Sequence, residues 1–172
     1  KIAKTNLGSG TASVAFTSGI DSTYGTYLIT CENVQVATDN TQFNMQFYIG
    51  GSLADGSVYQ YHHHSSHSGN GSYEAQNETQ ASPATQIQLM NSRGNGAGEG
   101  ACGQILIIAP SDTDMFAQAH WKLSGGRDDA SVNTGDGIAM YTAGVEALTG
   151  VLFKCGSGNI ADGTFTLYGL AN

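Results

Sequence analysis

The sequence predicts an all-β protein, an antiparallel two-sheet β-sandwich of about ten short strands with jelly-roll-like winding. Three observations predict it. Apolar and polar residues alternate along most of the chain, as in Phe43-Asn44-Met45-Gln46-Phe47-Tyr48-Ile49, where every second residue is apolar. No window of a dozen residues keeps an apolar stripe at helical spacing. The 24 glycines and many Ser, Asn and Asp residues recur at intervals that break the chain into strand-sized pieces.

Taken in order, the first expected strand is 11–16, with Val14 and Phe16 on one face, and the second is 27–34, with Tyr27, Ile29 and Cys31 aligned. The turn at Ser18-Gly19 separates them. Strand 42–49 follows Asp39-Asn40 and ends at Gly50-Gly51, and strand 58–64 carries Tyr59 and Tyr61 into a run of histidines. Further strands are expected at 85–91, 104–109, 116–123, 137–142, 150–155 and 164–168. Pro110-Ser111-Asp112, Gly125-Gly126 and Gly156-Ser157-Gly158-Asn159 mark turns among them. The expected core is Val14, Phe16, Tyr27, Ile29, Cys31, Phe43, Met45, Phe47, Leu106, Ile108, Trp121, Met140, Leu152, Phe165 and Leu167.

The whole of 1–172 reads as a single domain, without an internal repeat or linker. Residues 65–83, rich in Ser, Gly, Asn, Gln and Glu with one large side chain, Tyr73, read as a long exposed polar loop. A shorter glycine-rich loop is expected at 94–100. The chain begins at Lys1 without Met, so a preceding segment is expected.

Composition narrows the function classes. Charged residues make up only 12% of the chain and the net charge is −8, so the basic stripe that nucleic acid or an anionic membrane would require is missing. The longest apolar runs, such as Ile105 to Ala109, are strand-sized and too short to span a bilayer. Cys31, Cys102 and Cys155 lie far apart with no C-x-x-C pair, and they read as buried free thiols.

The histidine run is the loudest local signal. On a strand, His62 and His64 share a face because side chains alternate with period two, and His67 curling back would add a third metal ligand. The alternative is a set of solvated imidazoles; Glu74 and Glu78 lie further along. Asp128, Asp129, Asn133 and Asp136 crowd one stretch that suits turn formation better than a calcium loop, whose spacing they do not match. The acid pairs Asp112/Asp114 and Asp128/Asp129 read as turn caps rather than glycosidase carboxylates. No nucleophile elbow, zinc-protease helix or phosphate loop occurs, so no catalytic residue and no cofactor is expected. The sequon matches at Asn70 and Asn77 read as accidental.

Two stretches go beyond generic β pattern. One runs from Phe16 through Thr17-Ser18-Gly19-Ile20-Asp21-Ser22-Thr23-Tyr24-Gly25-Thr26 to Tyr27. The other is Ser157-Gly158-Asn159-Ile160-Ala161-Asp162-Gly163-Thr164-Phe165-Thr166-Leu167-Tyr168-Gly169-Leu170. Together they resemble small β-rich virion proteins of tailed phages, particularly phages of marine bacteria and cyanobacteria, described as fibre-like or decoration proteins. The resemblance implies a non-enzymatic structural protein assembled in the host cytoplasm and displayed on the particle exterior beside other virion proteins. A fibre or appendage module for host-surface attachment is expected, as a homotrimer, with Tyr59, Tyr61 and Tyr73 as candidate glycan contacts. The alternative is a decoration protein that cements the phage head.

Overall fold

A computed structural model of the protein describes residues 1–69 and 72–171, with the side chains of 72–80 outside that description. Its described residues form thirteen strands and no helix. They are β1 (Ala3–Leu7), β2 (Ser13–Phe16), β3 (Thr26–Val36), β4 (Thr41–Ile49), β5 (Ser52–Leu53), β6 (Tyr59–Gly69) and β7 (Ser72–Ala84). Then come β8 (Ile87–Arg93), β9 (Ala101–Ile108), β10 (Gln118–Gly126), β11 (Val132–Tyr141), β12 (Leu148–Cys155) and β13 (Ile160–Leu170). The larger sheet has the order β1-β13-β3-β9-β10-β11-β6-β7. The smaller has β2-β12-β4-β5, with β8 also paired to β4. All pairings between these strands are antiparallel.

The expected two-sheet antiparallel sandwich is therefore the fold. Eight strands nest: β1 pairs β13, β2 pairs β12, β3 pairs β9 and β4 pairs β8. First-with-last nesting of this kind is consistent with jelly-roll-like winding. Two excursions enlarge one sheet. Strands β10 and β11 follow β9, and the β6–β7 hairpin, inserted between β4 and β8, docks on the free side of β11.

The ten expected strands all form. The three additional ones are β1, β5 and β7. Residues 65–83 depart most from expectation. Apart from 70 and 71, which lie outside the described residues, the segment is strand rather than loop, paired from Tyr59↔Ala84 to Gly69↔Ser72 with irregularities between Tyr59 and Tyr61 and between Ser65 and His67. Backbone pairing explains this, because the ladder satisfies N–H and C=O groups whatever the side chains are, and β11 offers β6 a template along ten residue pairs. A polar composition measures how little a segment can bury, not whether a neighbouring edge will pair with it.

The core lies between the sheets, where Phe43, Phe153 and Phe165 stack with centroids 5.2–6.3 Å apart. Eleven of the fifteen expected core residues are buried. The other four, Leu106, Ile108, Met140 and Leu152, are corrected: their strands carry the opposite phase. Ile105 and Ile107 point inward on β9, Ala139 on β11, and Val151 and Phe153 on β12. Three of these errors, Leu106, Ile108 and Leu152, fall in continuous apolar runs, which contain no alternation to set the phase. On β11 the inward positions are small for a steric reason. A Cβ on Gly137 would lie 2.5 Å from the Trp121 ring, so the indole of β10 occupies the space a large β11 side chain would need.

Candidate functional site

The outer face of the larger sheet collects the residues that the core does not use. Cross-strand registers define three parallel rows on it. The middle row runs Tyr168, Leu28, Leu106, His120, Ile138, His62 across six strands. On one side lies Leu170, Thr26, Ile108, Gln118, Met140, Gln60, and on the other Thr166, Thr30, Gln104, Lys122, Asp136, His64. Ile138 is 47% exposed and Leu170 36%. Within these rows Lys122 and Asp136 are the fixed charges, and they sit side by side in register on a chain whose net charge is −8. The first two rows carry the apolar side chains, the third is polar, and the face as a whole is nearly neutral. Shallow depressions of about 310 and 560 Å³ cross it at His62 and Ile138, one walled by Gln60 and Met140 and the other by His64, His120 and Lys122.

The histidine run divides between faces. His62 and His64 point outward as expected, and His64 Nδ1 lies 3.3 Å from Asp136 Oδ1. His63 points inward and is fully buried. His67 does not curl back. It continues β6 opposite Asn133, itself buried, in the inward phase of His63 and Ser65. The three-ligand metal site His62, His64, His67 is thereby corrected, because one continuous strand cannot place consecutive odd and even positions on the same face. Among the described residues no group of three His, Cys, Asp or Glu could hold a metal ion.

His63 is the feature that sequence reasoning missed. Its Nδ1 lies 3.2 Å from Gln88 Nε2 of β8, and its Nε2 has no hydrogen-bond partner. The ring lies beside Trp121, whose indole N–H donates to Leu89 O at 3.1 Å. Gly135 leaves room for it, since a Cβ there would stand 3.0 Å from Nε2. Burial pushes its pKa down to about 4, with the Asp136 charge opposing that shift and His64 and His62 adding slightly to it.

The three tyrosine candidates separate. Tyr59 is fully buried, not exposed: its hydroxyl donates to Ala54 O at 2.6 Å and accepts from Phe47 N at 2.9 Å, and its ring packs edge-on against Phe47. Burial raises its phenol above the ordinary range. Tyr61, two residues on, shares that inward phase and is half-buried against the core. Tyr73, Glu74 and Glu78 carry side chains outside the described ones. The period-two rule could have found this, because Tyr59 and Tyr61 cannot share a face with His62 and His64.

The acids are held in turns. Asp129 Oδ1 accepts from Ser131 N and Oγ, which holds its carboxyl below the usual range, and Asp112 Oδ1 accepts from Asp114 N at 2.8 Å. Asp128 and Asp129 face Arg127 at 3.6 and 3.9 Å. Asn133 Nδ2 donates to Asn91 O and Asp136 faces His64, so the four residues weighed for calcium do not share one partner. The 94–100 loop is tied by buried Arg93, whose Nη2 donates to Glu99 O, and by Gly96 N, which donates to Glu99 Oε2 at 2.6 Å. All three cysteines are free. Cys31 and Cys155 are buried as expected, whereas Cys102 is exposed and its Sγ accepts from Asn33 N at 3.2 Å.

No family model matches the chain, and no curated protein matches it significantly.

Proposed function

We propose that this chain is a non-enzymatic structural module on the exterior of a tailed-phage particle, working as an assembly of identical copies that contributes to host-surface attachment. One observation carries the reading: the charge-poor outer face of the larger sheet, where Leu28, Leu106, Ile108, Ile138 and Met140 form an apolar cluster in two adjoining rows. Six strands about 4.8 Å apart and three rows about 7 Å apart make a patch of roughly 600 Å². That approaches the ~800 Å² per partner of a standard interface. Copies of a chain with net charge −8 repel one another through most of their surface, and on this face the charges nearly cancel. The resemblance carried by the 16–27 and 157–170 stretches supports the phage setting.

Sedimentation of the purified chain tests the assembly. The wild type is expected above monomer mass at tens of micromolar, and Leu106→Lys with Ile138→Lys is expected to be monomeric with unchanged circular dichroism. A monomeric wild type refutes the interface. Cryo-electron microscopy of the particle tests the location: density at the distal end of a tail appendage supports attachment, and density on the capsid lattice makes the chain a decoration protein instead.

A further inference from the structure

We propose that the cleft between the turn at 21–25 and the turn at 109–112 binds one ring of a neutral sugar. The proposal rests on the attachment reading and gives it a ligand class and a place, Tyr59 being buried and so not a contact. The cleft measures about 270 Å³ and is lined by Ser22, Thr23, Tyr24, Ala109, Ser111 and Asp112, among others. Sites for drug-sized ligands run from about 300 to 1,000 Å³, so this one suits a single small ring.

Its aromatic wall is fixed in place. A Cβ on Gly169 would stand 2.1 Å from Tyr24 Cδ2 and 2.5 Å from Cγ, so the ring lies directly on the Gly169 backbone. It also packs edge-on against buried Tyr27, with centroids 5.6 Å apart and planes at 89°. A tyrosine held this way offers an apolar surface to the C–H face of a pyranose with little rotamer freedom left to lose.

The polar rim is equally ordered. Asp21 Oδ1 accepts from Thr23 N at 2.8 Å and from the Tyr27 hydroxyl at 2.9 Å, which sets the first turn. Asp112 N donates to Ala109 O at 3.0 Å, setting the second, and Ala109 N donates to Gly25 O at 2.8 Å, joining the two. The hydroxyls of Ser22 and Ser111 both donate and accept, that of Thr23 is bonded to Asp21 and keeps its acceptor capacity, and the Asp112 carboxylate, which takes Asp114 N on Oδ1, accepts further. That set matches the vicinal hydroxyls of a sugar. Asp112 is the one ionisable carboxylate in the lining, and the lining contains no Lys, Arg or His. An acidic sugar would meet an uncompensated like charge there, so the ligand class is neutral. Each cleft binds weakly, and an assembly of copies multiplies the contact.

Saturation-transfer NMR on the intact chain tests this, with the methyl glycosides of glucose, galactose, mannose and N-acetylglucosamine as probes. Transfer to at least one is expected, with at least a tenfold loss of affinity in Tyr24→Ala. Because that residue packs on Gly169 and Tyr27, Ser111→Trp, which fills the cleft from its rim, provides the second variant. No transfer to any glycoside overturns the proposal, and transfer that persists in Ser111→Trp overturns the placement. Either failure leaves the exterior role standing if particle density is found. Sugar binding by a chain absent from the particle would remove that role instead.

Discussion

Acid should weaken this fold in part through a buried residue, His63. The imidazole is fully buried between β6 and β8, and burial holds its folded pKa near 4, against 6.5 for an ordinary histidine. The groups facing it are Gln88 from β8, Trp121 from β10 and the glycine positions of β11. Asp136, on the outer face, is the carboxylate that partly opposes the shift. Because the folded pKa is depressed, the unfolded chain takes up this proton first. Stability is full above about pH 6.5 and falls as the pH drops toward 4, where the loss levels off. The full difference corresponds to about 3 kcal/mol, and about 1.4 kcal/mol is already lost at pH 5.5. For a domain of this size that is roughly 3–5 °C in melting temperature. Urea unfolding of the wild type and of His63→Gln at pH 7.5 and pH 5.5 measures it. The wild type should lose about 1.4 kcal/mol more than the variant between those pH values, because every other titrating group cancels in the comparison. Equal losses in both proteins would refute the buried, neutral imidazole.

Gly137→Ala should destabilise by about 2–4 kcal/mol in urea, since its Cβ would lie 2.2 Å from His62 O and 2.5 Å from the Trp121 ring. Tyr59→Phe removes one hydroxyl and leaves Phe47 N and Ala54 O without it; a loss of about 1–3 kcal/mol is expected, with little change in circular dichroism. In the native protein a maleimide should label Cys102 and spare Cys31 and Cys155, with all three reacting in denaturant; mass spectrometry of the labelled peptides decides it.

Local alternation decided much of this in advance. Phe43, Met45 and Phe47 alternate with Asn44, Gln46 and Tyr48, and their strand and its inward face followed directly. Leu106 and Leu152 sit in unbroken apolar runs, and there the inward face depended on the neighbours. The same division runs through the candidate site. That His62 and His64 share a face is a property of any strand. That His67 lies on the other face depends on β6 continuing past residue 64, which it does because β11 pairs with it. The placing of Tyr24 likewise depends on Gly169, far along the chain, which lies beneath its ring.

By itself the sequence determined the all-β class, the ten main strands, most of the core and the scarcity of charge, because each depends on residue type or on spacing within a few positions. Only the tertiary structure decided that residues 65–83 form a hairpin, that Tyr59 and His63 are interior, and that an apolar cluster and a small polar cleft lie on the surface. Each of those depends on which distant strand supplies the next hydrogen-bonding edge or the next packing surface, and no local pattern encodes that choice.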